Sequence, residues 1–291
     1  MMRPDYSYGL STYSIVGADP EARECGVAVQ SKFLAVGAFV SWARGGVGAV
    51  ATQAYGEITY GSRGLDLLES GLSPEDTIDR LTGNDDLHTH RQVGVVAADG
   101  RSASYTGEEC FEHAVSVTGD GFAAQGNILT NPDVPEAMAD TFRGSSGRLA
   151  DRLLAALIAG EAAGGEKRGM ESAALLVVRP GGGYGGNHDR WLDLRIDHSD
   201  TPIEDLSGLL DLHALYFGKT EDGELLAFDE GLQNEVRGIL DSIGWWDHGK
   251  TLEDNLQGWL GWHNLEERWM GTERLDPVVL GELRSASASP E

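Results

Sequence analysis

The sequence predicts a layered α+β domain, two sheets between helical layers, followed by a small helical domain. Three observations predict it. Short β-rich runs occupy the chain up to Ala54. Helical segments then come in pairs, separated by groups of strands, so the order is not the strict strand–helix alternation of a dinucleotide-binding sheet. Past about residue 216 the composition changes, and five tryptophans crowd into the remainder: Trp245, Trp246, Trp259, Trp262 and Trp269.

Each element has a local reason. Residues 1–10 are polar and contain Pro4, as a leader or loose arm would. The runs 13–18 and 26–30 are β-rich and flank Asp19-Pro20-Glu21, which has turn chemistry and places Cys25 in the turn. Apolar runs over 36–42 and 47–54, split by Arg44-Gly45-Gly46, add two strands. Residues 64–71 read as a helix stopped by Gly71. Ser73-Pro74-Glu75-Asp76 starts another, with Ser as N-cap, Pro at the first helical position and acids in the first turn. Strands over 93–98 and 102–106 flank Asp99-Gly100, a hairpin turn, and 113–117 and 121–125 add two more. Asn131-Pro132-Asp133 caps a helix to Phe142. A strong helix over 149–163 carries Leu153, Leu154, Leu157 and Ile158 on one face. Strands over 173–179 and 193–197 flank a glycine-rich turn at 181–186. That turn lacks the Gly-Lys-Ser/Thr of a phosphate loop and leads into a strand. Helices follow over 203–215, 231–243, 252–260 and 277–283. The expected organisation is an arm over 1–11, a main domain over 12–215, a helical domain over 216–284 and a disordered tail over 285–291.

Composition excludes several function classes. There are 47 acidic and 22 basic residues, a net charge of −25, which argues against nucleic acid as a partner. Acid-rich, lysine-poor surfaces suit concentrated salt, where screening removes self-repulsion, so a halophilic source is expected. No apolar run approaches the ~20 residues of a membrane span, and residues 1–10 hold no signal-peptide core, so a cytoplasmic protein without a membrane partner is expected. Cys25 and Cys110 have neither Cys-x-x-Cys nor zinc spacing, and Cys110 reads as a small core residue. His88 and His90 lie in a polar loop with Asp85 and Asp86 and read as solvated. No metal or organic cofactor is implied.

Thr12 opens a predicted strand, and the returning strand ends in Ser31-Lys32 beside it. A threonine freed at the start of a chain can act as a nucleophile, with its own amine as base. Read alone, Thr12 is an ordinary β-branched strand residue.

The ordered blocks Thr12-Tyr13-Ser14-Ile15-Val16, Ser31-Lys32-Phe33-x-Ala35-Val36-Gly37, Ala51-Thr52-Gln53-Ala54-Tyr55 and Tyr60-Gly61-x-Arg63-Gly64-Leu65 resemble one bacterial and archaeal family, domain-of-unknown-function family 1028. The resemblance continues through Ala124-Gln125-Gly126-Asn127, Arg168-Gly169, Glu171-Ser172-Ala173-Ala174 and Asp193-Leu194-Arg195-Ile196-Asp197, over roughly residues 12–213. It implies the fold of N-terminal nucleophile (Ntn) hydrolases, a four-layer αββα sandwich. It also implies an amidohydrolase or acylase acting on a small amide, with Thr12 as nucleophile and Ser11 as alternative if the cut falls one residue earlier. On this resemblance Lys32 tunes the pKa of the amine and hydroxyl, and Ser31 hydrogen-bonds the amine. The turns Gln53-Ala54-Tyr55 and Gln125-Gly126-Asn127 supply substrate or oxyanion contacts, Gly126 by allowing close backbone approach and Asn127 through its amide. Arg168, Glu171 and Ser172 lie at the entry of the strand that completes such a site, with Glu171 where relatives carry Gln. Asp193, Arg195 and Asp197 share one strand face, read as an exposed salt-bridged one.

In the family the threonine usually follows the initiator methionine directly. Here Met1 and Met2 lie well upstream and Ser11 precedes it. Either the leader is cut, or the start is placed too early, or the chain is a catalytically silent binding or scaffold protein that kept the fold. The C-terminal segment resembles a module described as peptidoglycan-binding, with Asn264-Leu265-Glu266-Glu267-Arg268 its clearest block; a tryptophan mini-core is the plainer reading of that segment. A closed homo-oligomer is expected of such sheets.

Overall fold

The structure is a computed structural model that describes residues 12–111 and 113–288. Ser11, the rest of the expected arm and residues 289–291 of the expected tail lie outside the described residues. The chain divides into two compact units at Gly208/Leu209, inside a helix rather than at its end.

In the first unit, β1 (Thr12–Asp19) and β2 (Glu24–Ser31) form a hairpin, followed by β3 (Ser41–Arg44), β4 (Gly48–Ala54), α1 (Thr59–Glu69) and α2 (Pro74–Thr82). Then come β5 (Arg91–Ala97), β6 (Ser102–Thr106), β7 (Val115–Gly119), β8 (Phe122–Asn127), α3 (Val134–Gly144), α4 (Leu149–Ala162), β9 (Ser172–Val178), β10 (Arg190–Ile196) and α5 (Pro202–Phe217), in which the division falls. The fold class is α+β with antiparallel sheets. A six-stranded sheet has the order β10-β9-β2-β1-β8-β7, and a four-stranded one the order β3-β4-β5-β6.

Side-chain alternation decides what each face meets. Val16, Ala18, Cys25, Val27, Val29, Ala123, Ala174, Leu176 and Val178 of the larger sheet cluster with Ala49, Ala51 and Val96 of the smaller, so the two sheets pack face to face. The opposite residues of the smaller sheet, Val50, Val93 and Val95, pack against Leu65 and Leu68 of α1 and Ile78 and Leu81 of α2. On the outer face of the larger sheet, Tyr13 donates to Glu161 of α4 at 2.9 Å, and glycines at 17 and 26 leave room for Leu153. Burying this much apolar area at roughly 25 cal/mol per Å² is the main stabilising term.

Several expectations need correction. The apolar run 36–42 is not one strand. Val36–Ala38 is a 3₁₀ turn, because Ser172 Oγ accepts from the Val36 amide and donates to the Phe33 carbonyl, bending the chain before β3 begins. Cys25 lies inside β2 opposite Ala18, because Asp19 closes the turn by accepting from the Glu21 and Ala22 amides. The strand expected from 113 starts at Val115, since His113 holds a left-handed φ of 54°. Ile158 is 46% exposed. At about 100° per residue it lies beyond the arc centred on Leu153 and Leu157. By contrast α2 begins as its sequence dictates: Ser73 Oγ accepts from the Asp76 amide, with Pro74 in the first turn.

The second unit holds the end of α5, α6 (Glu230–Ser242), α7 (Leu252–Trp262), α8 (Pro277–Ala288) and a two-stranded ladder of β11 (Leu226–Ala227) with β12 (Arg274–Leu275). Its core gathers Val236, Leu240, Leu256, Trp259, Leu260, Leu265, Val279, Leu280 and Leu283, with Trp245, Trp246 and Trp269 packed on it and Trp262 left exposed. Helix α8 continues through Ala288, into the segment expected as tail, because Ala286 packs on this core. Arg268 and Asp276 form a buried ion pair at 2.8 Å, and Arg268 also donates to the Ala214 and Leu215 carbonyls. No helix among the described residues is long and apolar enough to cross a membrane.

Candidate functional site

Four polar residues stand side by side across the larger sheet. Thr12 is paired with Asn127 on β8 and with Ser31 on β2, and Ser31 is paired with Ser172 on β9. All four are fully buried. Thr12 Oγ1 donates to Ser31 Oγ at 3.2 Å, and Ser31 Oγ accepts from the Phe33 amide at 3.0 Å. The row forms because four neighbouring antiparallel strands, β8, β1, β2 and β9, each carry at this end, on the inter-sheet face, a residue able to hydrogen-bond.

The smaller sheet closes this end from the other side. Gln53, the penultimate residue of β4, faces the sandwich interior; its Nε2 donates to the Thr12 carbonyl at 3.3 Å and to Gln92 Oε1 at 2.8 Å, and its Oε1 accepts from Ser14 Oγ at 2.7 Å. Asn127 Nδ2 also points at the Thr12 carbonyl, at 3.4 Å, and at Gln92 Oε1, at 3.1 Å. Gln92, near the start of β5, donates in turn to the Gly126 carbonyl at 2.9 Å and to Thr106 Oγ1 at 3.0 Å. Gln125 Nε2 donates to Ser14 Oγ at 2.6 Å, its amide seated over Gly94, where a Cβ would lie 2.1 Å from Oε1. A buried amide network of this kind is worth its desolvation only when its members satisfy one another, and it then fixes one geometry.

A second shelf surrounds Lys32. Its backbone amide donates to Glu166 Oε2 at 2.9 Å, while its ammonium donates to the Met170 carbonyl at 2.8 Å and to Glu171 Oε2 at 3.0 Å. Glu171 also meets His198 at 2.5 Å, and the hydrogen bonds from Lys32 and then His198 hold its carboxyl below the usual carboxylate range. Glu166 is buried and takes both the Arg168 amide, at 2.9 Å, and its guanidinium, at 2.8 Å.

Beside Gln53, Arg91 braces the next residues. Its guanidinium donates to the Tyr55 carbonyl and pairs with Asp85 at 2.8 Å, and Tyr60 donates to the same carboxylate at 2.9 Å. Burial alone would raise the Asp85 pKa, but hydrogen bonds from Arg91, the Leu87 amide and Tyr60 outweigh it and hold it at about 2. Left-handed backbone at non-glycine residues occurs at this end of the sandwich: Ala54 (φ 66°) ends β4, Ile128 (φ 51°) follows β8, and Ala35 (φ 54°) lies just beyond β2. Such conformations cost about 1–3 kcal/mol each and cluster at functional sites.

The structure therefore brings Thr12, Ser31, Gln53, Gln125 and Asn127 into one buried network. It places Lys32, Arg168 and Glu171 on the adjacent shelf, with the Lys32 ammonium on Met170 and Glu171 rather than on Thr12. Ser172 holds the 33–36 bend, and Tyr55 lies outside the network on Arg91. The side-chain position of Gly126 is filled by Leu129, so its glycine serves packing, and its carbonyl serves Gln92. Sequence reasoning missed Ser14, Gln92 and Glu166. Ser14 was within reach, two residues from Thr12 on the same strand face. Gln92 carries the weaker signal of a polar residue opening an apolar strand, and the loop around Glu166 carries none. His88 meets Tyr105 at 2.8 Å and His90 meets Glu109 at 2.8 Å; no group of three metal-ligating residues occurs among the described residues.

Residues 12–206 match a family model described as a family of unknown function, DUF1028. The crystal structure of a Silicibacter pomeroyi protein described by the same family superposes with a TM-score of 0.63 at 34% sequence identity, over 73% of this chain and 91% of that one. No curated protein matches the chain.

Proposed function

The chain belongs to the DUF1028 family, and from that premise we propose that it is an N-terminal nucleophile amidohydrolase whose packed helices and sheets are the αββα arrangement of that class. The observation that carries this reading is the Thr12 hydroxyl. It opens the central hairpin, is oriented by Ser31 at 3.2 Å, and sits on a residue whose carbonyl is aimed at by two side-chain amides.

After cleavage between Ser11 and Thr12, the new α-amine takes the proton from Thr12 Oγ1 as the oxygen attacks the carbonyl carbon of a small amide. The C–N bond of the tetrahedral adduct breaks, the proton passes to the departing amine, and the acyl group remains on Thr12 as an ester. Water, deprotonated by the same amine, releases the acid and frees the hydroxyl. In this scheme Gln53 and Asn127 position the Thr12 backbone, and Ser31 selects the hydroxyl rotamer. Holding reacting groups in place is a large part of what a site contributes to rate.

The test is the first residue of the protein isolated from its native host, by intact mass and terminal sequencing. A chain beginning at Thr12 supports the proposal and predicts amide hydrolysis abolished in Thr12→Ala. A chain beginning at Ser11 moves the nucleophile to Ser11. A chain beginning at Met1 or Met2 leaves Thr12 without its amine and turns the reading to a silent binding or scaffold protein.

A further inference from the structure

The C-terminal unit holds a half-open cavity of about 250 Å³ between the end of α5, the end of α7 and α8. Its apolar wall includes Leu215 and Leu265, and Tyr216, Trp259, His263 and Glu282 bring polar groups to it. The His263 ring lies against Trp259, with centroids 4.5 Å apart. The side chains of Tyr216, His263 and Glu282 make no hydrogen bond or ion pair among the described residues. Other carboxylates of this unit do find cations: Asp276 has Arg268 at 2.8 Å and Glu235 has Arg284 at 2.8 Å. Glu282 is half-buried at the cavity and has none.

We propose that this cavity is a binding site for a small organic cation, an ammonium group on an apolar body. Three features of the cavity select that class. A partly desolvated carboxylate with no counter-ion favours a cationic group and repels an anionic one. Aromatic faces attract the same charge through their quadrupole. The volume suits one ring and a short arm, since a cavity of roughly 150 Å³ admits benzene. The ammonium sits on Glu282, and the apolar body lies against Leu215, Leu265 and the aromatic walls.

The experiment is calorimetric titration of the full chain with 2-phenylethylammonium and, in parallel, its neutral counterpart 2-phenylethanol, in 0.5 M salt to screen the acidic surface. The expected result is saturable binding of the amine at one site per chain, at least tenfold tighter than the alcohol. Glu282→Gln should weaken the amine at least tenfold and leave the alcohol unchanged. Absence of saturable amine binding overturns the proposal. So does alcohol binding as tight as the amine, or undiminished amine binding by a Glu282→Gln chain with wild-type circular dichroism. Should that variant fail to fold, the amine-to-alcohol ratio on the unaltered chain decides.

Discussion

Gln92 Oε1 accepts a hydrogen bond from Gln53 Nε2 at 2.8 Å, a pairing between adjacent strands of one sheet that reaches a residue of the other, because the same Gln53 nitrogen also faces the Thr12 carbonyl at 3.3 Å. Gln92 is thus a keystone that never touches Thr12. Replacing it with Leu would leave the Gly126 carbonyl and the amides of Gln53 and Asn127 short of partners. Gln92→Leu should lower stability by about 3 kcal/mol, read from denaturant midpoints. A loss below about 0.5 kcal/mol would show the network to be slack.

Gly94→Ala should fail for a steric reason at the same place. The new methyl would meet the Gln125 amide, with Oε1 at 2.1 Å and Cδ at 2.6 Å. Overpacking costs about 1–3 kcal/mol, and thermal melting of the variant measures it. Combining it with Gln125→Ala should recover part of the loss, because the clash disappears with the amide.

Asp85 gives the fold an acid limit. Its folded pKa of about 2 lies below its ordinary 3.8. A depressed carboxyl stabilises the folded state above about pH 4, and that contribution, about 2 kcal/mol, is lost as pH falls toward 2. In Asp85→Asn the slope of stability against pH between 4 and 2 should be shallower by this share, measured by urea titration at each pH.

Much of this was legible in the sequence, for reasons visible residue by residue. The α2 start at Ser73-Pro74 is local chemistry, and the β1–β2 hairpin follows from its turn, so both were readable. Thr12, Ser31, Gln53, Gln125 and Asn127 were named as candidates and meet in one network. What was not readable is long-range. The Lys32 ammonium goes to Glu171 because β2 and β9 pair with Ser31 opposite Ser172, and no local pattern specifies that register. The 36–42 run looked like a strand because its hydrophobicity is that of one, while the bend comes from Ser172, far away in sequence.

The thiols should be inert in the folded chain. Burial, aided by Glu24, pushes Cys25 up to about 12, and burial pushes Cys110 up to about 11. The thiolate is the reactive species, so iodoacetamide at pH 8 should label neither until denaturant is added, as counted by mass spectrometry. Native labelling of Cys25 would reveal opening of β2.

Arg268 and Asp276 should govern the second unit. Both side chains are almost wholly out of solvent, at 5% and 0% exposure. Removing one partner of such a pair costs about 3–5 kcal/mol. Arg268→Ala should therefore expose the segment 209–288 to limited proteolysis and leave 12–208 resistant.

The hairpin that carries Thr12 has a parity. Its two strands are eight residues each, and Thr12 and Ser31 are the last pair at its open end. One residue added within β1 would turn Thr12 to the side of Tyr13, away from Ser14 and Gln53, and one added within β2 would turn Ser31 away from Thr12 in the same way. Two added within β1 would restore the side but carry Thr12 roughly 6–7 Å beyond Ser31. Changes in length can therefore accumulate only in the four residues of the turn, 20–23. The distance from that turn to Thr12 acts as a fixed count, and any chain that preserves the rung must preserve the count.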